Sequence, residues 1–140
     1  MPPAKPRGSF NRRINRPTYW LLLLGAAVVV GGLAALGVHA AYLEIAMVAI
    51  GVPRLHDIGR SGWIILGVIA AEFAIVIAAA LLSGGEGVFI GAGIAVIAIG
   101  LLTIWLGCIP GQPHDNKWGP PPASGVNLTG KAADYGEVFE

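Results

Sequence analysis

The sequence predicts an all-α membrane protein with four transmembrane helices, both termini in the cytoplasm and a disordered C-terminal tail. The composition is 55% hydrophobic and only 12% charged, which leaves too few charges to cover the surface of a water-soluble domain of 140 residues. Long apolar stretches cover residues 19–52, 63–82 and 88–108. Finally, Lys and Arg all fall on one side of a bilayer only if the chain crosses it four times.

The first apolar stretch is too long for a single span. As one helix, residues 19–52 would be about 50 Å long, whereas the hydrocarbon core of a bilayer is about 30 Å thick. The natural break is at residues 37–40, because Gly37 ends a helix at low cost and His39 is the polar residue nearest the middle. The four predicted spans of the transmembrane domain, residues 19–108, are therefore about 19–37, 41–56, 63–82 and 88–108.

The distribution of basic residues sets the orientation. With four spans, residues 1–18, 53–62 and 109–140 share one side, and this side holds all 9 Lys and Arg residues, whereas three spans would divide them between both sides. The positive-inside rule makes this side cytoplasmic, with residues 1–18 as a basic N-terminal segment and 109–140 as a Gly/Pro-rich tail. A cleaved signal peptide is the weaker alternative, because the apolar run 20–36 exceeds the usual h-region of about 7–15 residues.

The densest polar segment joins the second and third predicted spans. In a helix, Arg54 and Arg60 would both reach the carboxylate of Asp57, which lies three residues from each. Ser61 or Asp57 would cap the third span. The segment contains, in order, Arg54, Leu55, His56, Asp57, Ile58, Gly59, Arg60, Ser61, Gly62 and Trp63.

These ten residues resemble the signature of the domain-of-unknown-function 805 family of small bacterial inner-membrane proteins, and two further segments agree with it. The resemblance covers about residues 10–122 and departs from the family at Arg12, where Gly is usual, and at Pro121, where an acidic residue or Asn is common. It implies a multi-pass protein of the bacterial inner membrane with a polar cytoplasmic face, and it supplies no reaction, substrate or catalytic residue. The two further segments are Arg13-Ile14-Asn15-Arg16 with Tyr19-Trp20, and Pro110-Gly111 with Asn116-Lys117-Trp118-Gly119-Pro120.

The candidate site is the polar cap, which we define as residues 12–16, 54–63 and 110–120. One hypothesis is that its arginines bind anionic lipid headgroups. The alternative is a purely structural role, in which the arginines orient the spans and hold the loops together through Arg–Asp pairs. We therefore expect a non-catalytic interaction or lipid-binding module whose partners are membrane lipids, a second copy or another membrane protein, and not nucleic acid. The candidate site residues are Arg13, Arg16, Trp20, Arg54, Leu55, His56, Asp57, Gly59, Arg60, Ser61, Gly62, Trp63, Asn116, Trp118 and Gly119.

Glu72, near the middle of the third span, suggests an alternative function as a small transporter or channel component. A carboxylate at this depth costs a few kcal/mol and is therefore a candidate for proton or ion handling. The sequence contains no recognisable catalytic motif, phosphate loop or zinc-ligand array, so we predict no enzyme, no cofactor and no metal site. The pairs His56-Asp57 and His114-Asp115 are expected to be hydrogen-bonded loop residues and not metal ligands.

Small residues recur on three predicted spans and predict close helix packing. Gly25 and Gly32 are spaced by one heptad on the first span, and Gly93, Gly100 and Gly107 repeat in the same way on the fourth. On the third span, Ala70, Ala74 and Ala78 repeat every four residues. Such residues let neighbouring backbones approach in lipid, within one bundle or between protomers.

Overall fold

The computed structural model describes residues 12–37 and 41–132, which form three α-helices and no β-strand. The helices are α1 (Arg16–Ala35), α2 (Ala41–Asp57) and α3 (Trp63–Cys108). The predicted all-α class is therefore confirmed for the described part of the chain. Two of these helices, α1 and α3, are long and apolar enough to cross a membrane.

The ends of α1 follow from local sequence. The side chain of Asn15 accepts a hydrogen bond from the Thr18 N–H at 3.1 Å, and Pro17 lies in the first turn, where its missing N–H costs nothing. At the other end Gly37 has a φ of 81°, and its N–H donates to the carbonyl of Ala34 at 3.0 Å. The first apolar stretch is thus interrupted where the sequence predicts, although His39 lies outside the described residues.

Helix α3 is a hairpin of two antiparallel halves. Gly84, with φ 65° and ψ −149°, is the position where its backbone departs from helical geometry. A Cβ on Gly91 would lie 2.9 Å from the Cα of Val76, and one on Gly87 would lie 1.9 Å from the carbonyl oxygen of Ala79. Residues this far apart in a straight helix would be separated by more than about 10 Å. The sequence predicts a loop between residues 82 and 88, but the reversal is concentrated at one glycine that adopts positive φ.

The helices leave most of their apolar surface uncovered. A small core near one end of the bundle contains Tyr19, Ile50, Leu55, Ile65 and Leu106. Elsewhere large apolar side chains point outward, and several of them are more than two thirds exposed. Exposed apolar surface of this extent is typical of a protein whose surroundings are lipid.

The expected disorder of the C-terminal tail, residues 109–140, is wrong for residues 109–132. This segment lies against the start of α1, where the Asn15 amide donates to the carbonyls of Ala123 and Gly125, both at 2.7 Å. The N–H of Asn127 donates to the Thr18 hydroxyl at 2.8 Å. Several backbone groups of the tail are thus satisfied by side chains of residues 15 and 18, and others by Asn127 within the tail, in place of regular secondary structure. Residues 133–140 lie outside the described residues.

Within one chain, the predicted packing of the glycine faces is mostly wrong, whereas their alternative role between protomers stays a prediction. A Cβ added to Gly25, Gly32, Gly93 or Gly100 would meet no described atom within 4 Å. Only Gly107 of the predicted set is crowded, since a Cβ there would lie 2.1 Å from the ring of Trp20. Heptad spacing identifies a common face, but it does not specify which face meets a neighbouring helix.

Candidate functional site

The end of α2 positions the central residues of the polar cap. Gly59 adopts a φ of 79°, and its N–H donates to the His56 carbonyl at 3.2 Å while the Arg60 N–H donates to the Leu55 carbonyl at 2.8 Å. This pair of bonds is a Schellman motif, which ends α2 at Asp57 and satisfies its last carbonyls. Residues before the motif point into the protein, whereas Arg60, beyond it, is exposed.

Arg54 is fully buried, and four of its five N–H donors are paired with internal acceptors. Its Nε donates to the Leu106 carbonyl at 2.9 Å, and its Nη1 donates to the Ile14 carbonyl at 3.3 Å and to Asp57 Oδ2. Its Nη2 donates to the Ile109 carbonyl. One guanidinium therefore ties α2 to the end of α3 and to the segment that precedes α1.

Arg13 plays the same role from the N-terminal segment. It is 5% exposed, and its Nε donates to Asp57 Oδ1 at 3.1 Å. Its Nη1 donates to the carbonyls of His114 and Gly119, both at 2.9 Å, and its Nη2 donates to the Gln112 carbonyl. This arginine fixes the polar loop after α3, which has no regular structure of its own.

Asp57 lies between the two guanidinium groups, one at each carboxylate oxygen. The loop after α3 presses on it so closely that a Cβ on Gly111 would lie 2.0 Å from Oδ2, and only glycine fits there. The N–H of Gln112 donates to the Asp57 carbonyl at 2.8 Å. Burial raises the pKa of the Asp57 carboxyl, and the charges of Arg54 and Arg13 oppose this shift by favouring the ionised form.

His56 and Trp118 form the aromatic side of the polar cap. Their rings are stacked, with centroids 4.4 Å apart and an angle of 13° between the planes. Asn116 supports this pair: its amide donates to the His56 carbonyl and to Gln112 Oε1, both at 2.9 Å. The Nζ of Lys117 lies 4.2 Å from the centroid of the Trp118 ring, a cation–π contact.

Exposed basic residues surround this buried network. Arg12, Arg16, Arg60 and Lys117 are all exposed at the same end of the bundle. Among the described residues, none makes a hydrogen bond with the side chain of Arg60, which corrects the expectation that Arg60 pairs with Asp57. Arg13 takes that position, because the Schellman motif turns the chain away before residue 60.

The remaining predicted site residues have mainly structural roles. Leu55 is fully buried in the core, and Trp20 donates from Nε1 to the Gly107 carbonyl at 3.3 Å. Gly62 precedes α3 without a side-chain cap, so Asp57 does not cap this helix as the sequence suggested, and the Ser61 hydroxyl accepts from the Trp63 N–H at 3.4 Å. Gln112 was not predicted from the sequence. Its carbonyl accepts from Arg13, its N–H donates to Asp57 and its Oε1 accepts from Asn116.

The described residues contain no group of three or more His, Cys, Asp or Glu side chains that would hold a metal ion. His114 and Asp115 are exposed, whereas Asp57 is engaged by arginines.

Glu72 is remote from the polar cap and is 8% exposed. Its Oε1 is buried and has no hydrogen-bond partner among the described residues. The carboxyl of Glu44 on α2 acts on it electrostatically. A buried carboxylate without a partner is costly, so this position is unusual in the fold.

The fold and site define a class: an all-helical protein with two helices apolar enough for a membrane and a cap tied by buried Arg–Asp pairs. A family model described as "Protein of unknown function (DUF805)" matches residues 32–120. The chain belongs to this family, which confirms the resemblance found in the sequence. No curated protein and no solved structure shows a significant match.

Proposed function

We propose that the protein crosses the bacterial inner membrane four times, with both termini in the cytoplasm. At 1.5 Å per residue, α1 is about 30 Å long, α2 about 25 Å, and the two halves of α3 about 32 Å and 36 Å, all close to the thickness of the hydrocarbon core. The sequence contains no Lys or Arg between residues 17 and 53 or between 61 and 116. The basic residues thus gather at the polar cap, which the positive-inside rule assigns to the cytoplasm.

Labelling of single cysteines in intact cells tests this topology. In a Cys108→Ser background, we expect a membrane-impermeant thiol reagent to label Gly37→Cys and Gly85→Cys, and not Arg60→Cys or Asp115→Cys. After the inner membrane is permeabilised, all four positions should react. Labelling of residues 37 and 60 from the same side would refute the four-span topology.

For the molecular role, we propose a non-catalytic module that binds anionic lipid headgroups through the exposed arginines of the polar cap. The supporting observation is that some arginines of the polar cap are buried and paired, whereas others are exposed. Arg13 and Arg54 donate to acceptors inside the protein, whereas Arg12, Arg16 and Arg60 are exposed. Trp63, which also belongs to the polar cap, is 76% exposed. Each basic residue near a membrane surface adds about 1 kcal/mol of attraction to anionic lipid.

The test is lipid enrichment around purified protein. Protein in mixed micelles of phosphatidylglycerol and phosphatidylcholine is isolated at low salt, and the retained lipids are quantified. We expect phosphatidylglycerol to be enriched and the enrichment to fall strongly in the triple variant Arg12→Gln, Arg16→Gln, Arg60→Gln. The charge-conserving triple variant Arg12→Lys, Arg16→Lys, Arg60→Lys is the matched control and should keep the enrichment. An unchanged lipid ratio in the folded triple variant would refute this function.

A second candidate function rests on Glu72. Its buried, unpartnered oxygen and the nearby Glu44 carboxyl support a transporter or channel component that handles protons or cations. Proteoliposomes with an internal pH dye would then show a proton flux that Glu72→Gln abolishes while helical content is preserved. Vesicles without any flux above protein-free controls would favour the lipid-binding function.

A further inference from the structure

We propose that the groove between α2 and the first half of α3 binds one anionic glycerophospholipid of the cytoplasmic leaflet, an inference that rests on the proposed membrane topology and lipid-binding function. The exposed arginines would attract anionic lipids in general, whereas this proposal assigns one lipid molecule to one binding site. The argument depends on the shape of the groove, its length and the charge at its mouth.

The upper part of the groove is a cavity of about 390 Å³ that begins at the polar cap. Trp63 and Trp118 line it at the mouth, and Val52 and Leu66 continue it with aliphatic surface. The ring of His56 and the hydroxyl of Ser61 supply the polar groups at the same level. An apolar wall that ends in aromatic and polar side chains matches a molecule with a hydrocarbon chain and a polar head.

The groove continues along α2 toward the middle of the bundle. Val48 lines the upper cavity and also a second cavity of about 340 Å³, whose other walls include Ile45 and Ile69. From His56 to Ile45 the axis of α2 rises by about 16 Å, close to half of the 30 Å hydrocarbon core. The groove therefore has the length of an acyl chain confined to one leaflet. Glu44 lines only the deep cavity, about 18 Å from the level of His56.

The charge at the mouth favours an anionic head over a zwitterionic one. The Lys117 ammonium group lies over the ring of Trp118 and acts electrostatically on His56, so a positive charge contacts a residue that lines the upper cavity. The nearby carboxylate of Asp57 does not oppose it, because two arginines already neutralise that group. No acidic side chain lines the upper cavity within the described part of the chain.

Native mass spectrometry of the whole protein, released from phosphatidylglycerol–phosphatidylcholine micelles at high salt, tests the site. High salt screens the exposed arginines, whereas a lipid seated in the groove is retained. We expect one bound phosphatidylglycerol per chain, and about tenfold weaker retention in Leu66→Trp, which fills the cavity. Val28→Trp is the matched control, because Val28 is 70% exposed on α1 and lies outside the groove.

A second variant tests the headgroup contact without altering the groove. At low salt, where this contact is not screened, Lys117→Gln should weaken phosphatidylglycerol retention about fivefold, the factor that corresponds to one basic residue near the surface, while the charge-conserving Lys117→Arg should have no effect. Equal retention of the two lipids by the native protein, retention by Leu66→Trp equal to that of Val28→Trp, or a lipid-free dimer that covers the groove would each overturn the proposal. The low-salt enrichment lost in the triple arginine variant tests the proposed function separately.

Discussion

Replacing Asp57 by Asn is the most direct test of the buried network. The two residues have nearly the same shape, so the variant removes the negative charge without opening a cavity. Each carboxylate oxygen serves a different arginine, Oδ2 for Arg54 and Oδ1 for Arg13. An Asn amide group must therefore present its NH₂ to one of the two guanidinium groups, so that two donors face each other.

The expected cost follows from the burial of the partners. Arg54 is fully buried and Arg13 is 5% exposed, so neither can turn to water when its counter-charge is lost. Removing one partner of a buried ion pair costs about 3–5 kcal/mol. The carbonyl acceptors of both arginines remain and stabilise them in part, which favours the lower end. We expect Asp57→Asn to lower the free energy of unfolding by about 3 kcal/mol.

Reversible unfolding by SDS in mixed micelles, followed by the circular dichroism of the helices, measures this difference. Asp115→Asn is the matched control, since Asp115 is an exposed carboxylate in the same cap and should change the free energy by at most about 0.5 kcal/mol. The double variant Arg13→Gln, Asp57→Asn should cost less than the sum of the single variants, because both remove the same contact. Equal stabilities of Asp57→Asn and Asp115→Asn would refute the network as a stabilising element.

Three further variants test other contacts by the same unfolding measurement. Gly111→Ala should destabilise the protein by about 1–3 kcal/mol because its Cβ would overlap the buried Asp57 carboxylate. Gly25→Ala, whose Cβ would meet no atom within 4 Å, should be neutral or stabilising. Equal effects of the two variants would contradict the close contact between Gly111 and Asp57. Tyr19→Phe should cost about 1 kcal/mol through loss of its 3.0 Å hydrogen bond to the Thr103 carbonyl, and an unchanged midpoint would show that water replaces this bond. Glu72→Gln should raise the unfolding midpoint because a neutral amide is less costly to bury than an unpartnered carboxylate, and a lowered midpoint would indicate a hidden partner.

The helices and the Arg54–Asp57 pair could be predicted from the sequence because they depend on local patterns. Apolar length fixes the helices, and a spacing of three residues in a helix puts Arg54 within reach of Asp57. The same spacing failed for Arg60, because helical geometry no longer applies beyond Gly59. A glycine that directly follows a helical segment is a C-cap signal, and Gly59 would have excluded Arg60 from the helix.

The other contacts of the site depend on tertiary structure. Arg13 is 44 residues from Asp57 in the sequence, and the carbonyls that it binds belong to a loop without periodicity. Backbone acceptors are present in every residue, so no residue type identifies His114 or Gly119 as partners of an arginine. The order of residues 121–132 was missed for the same reason, since the side chain of Asn15 holds them through their carbonyls.

The reversal at Gly84 has a consequence for biogenesis. Because only a short bend at Gly84 separates the two halves of α3, they can enter the bilayer together as one helical hairpin. In the proposed orientation, Glu86 beside the bend is the one charged side chain between residues 73 and 114 that must be carried across the hydrocarbon layer. Moving this hairpin across the bilayer then requires the desolvation of only one charged side chain, and the extracytoplasmic loop that it forms is very short.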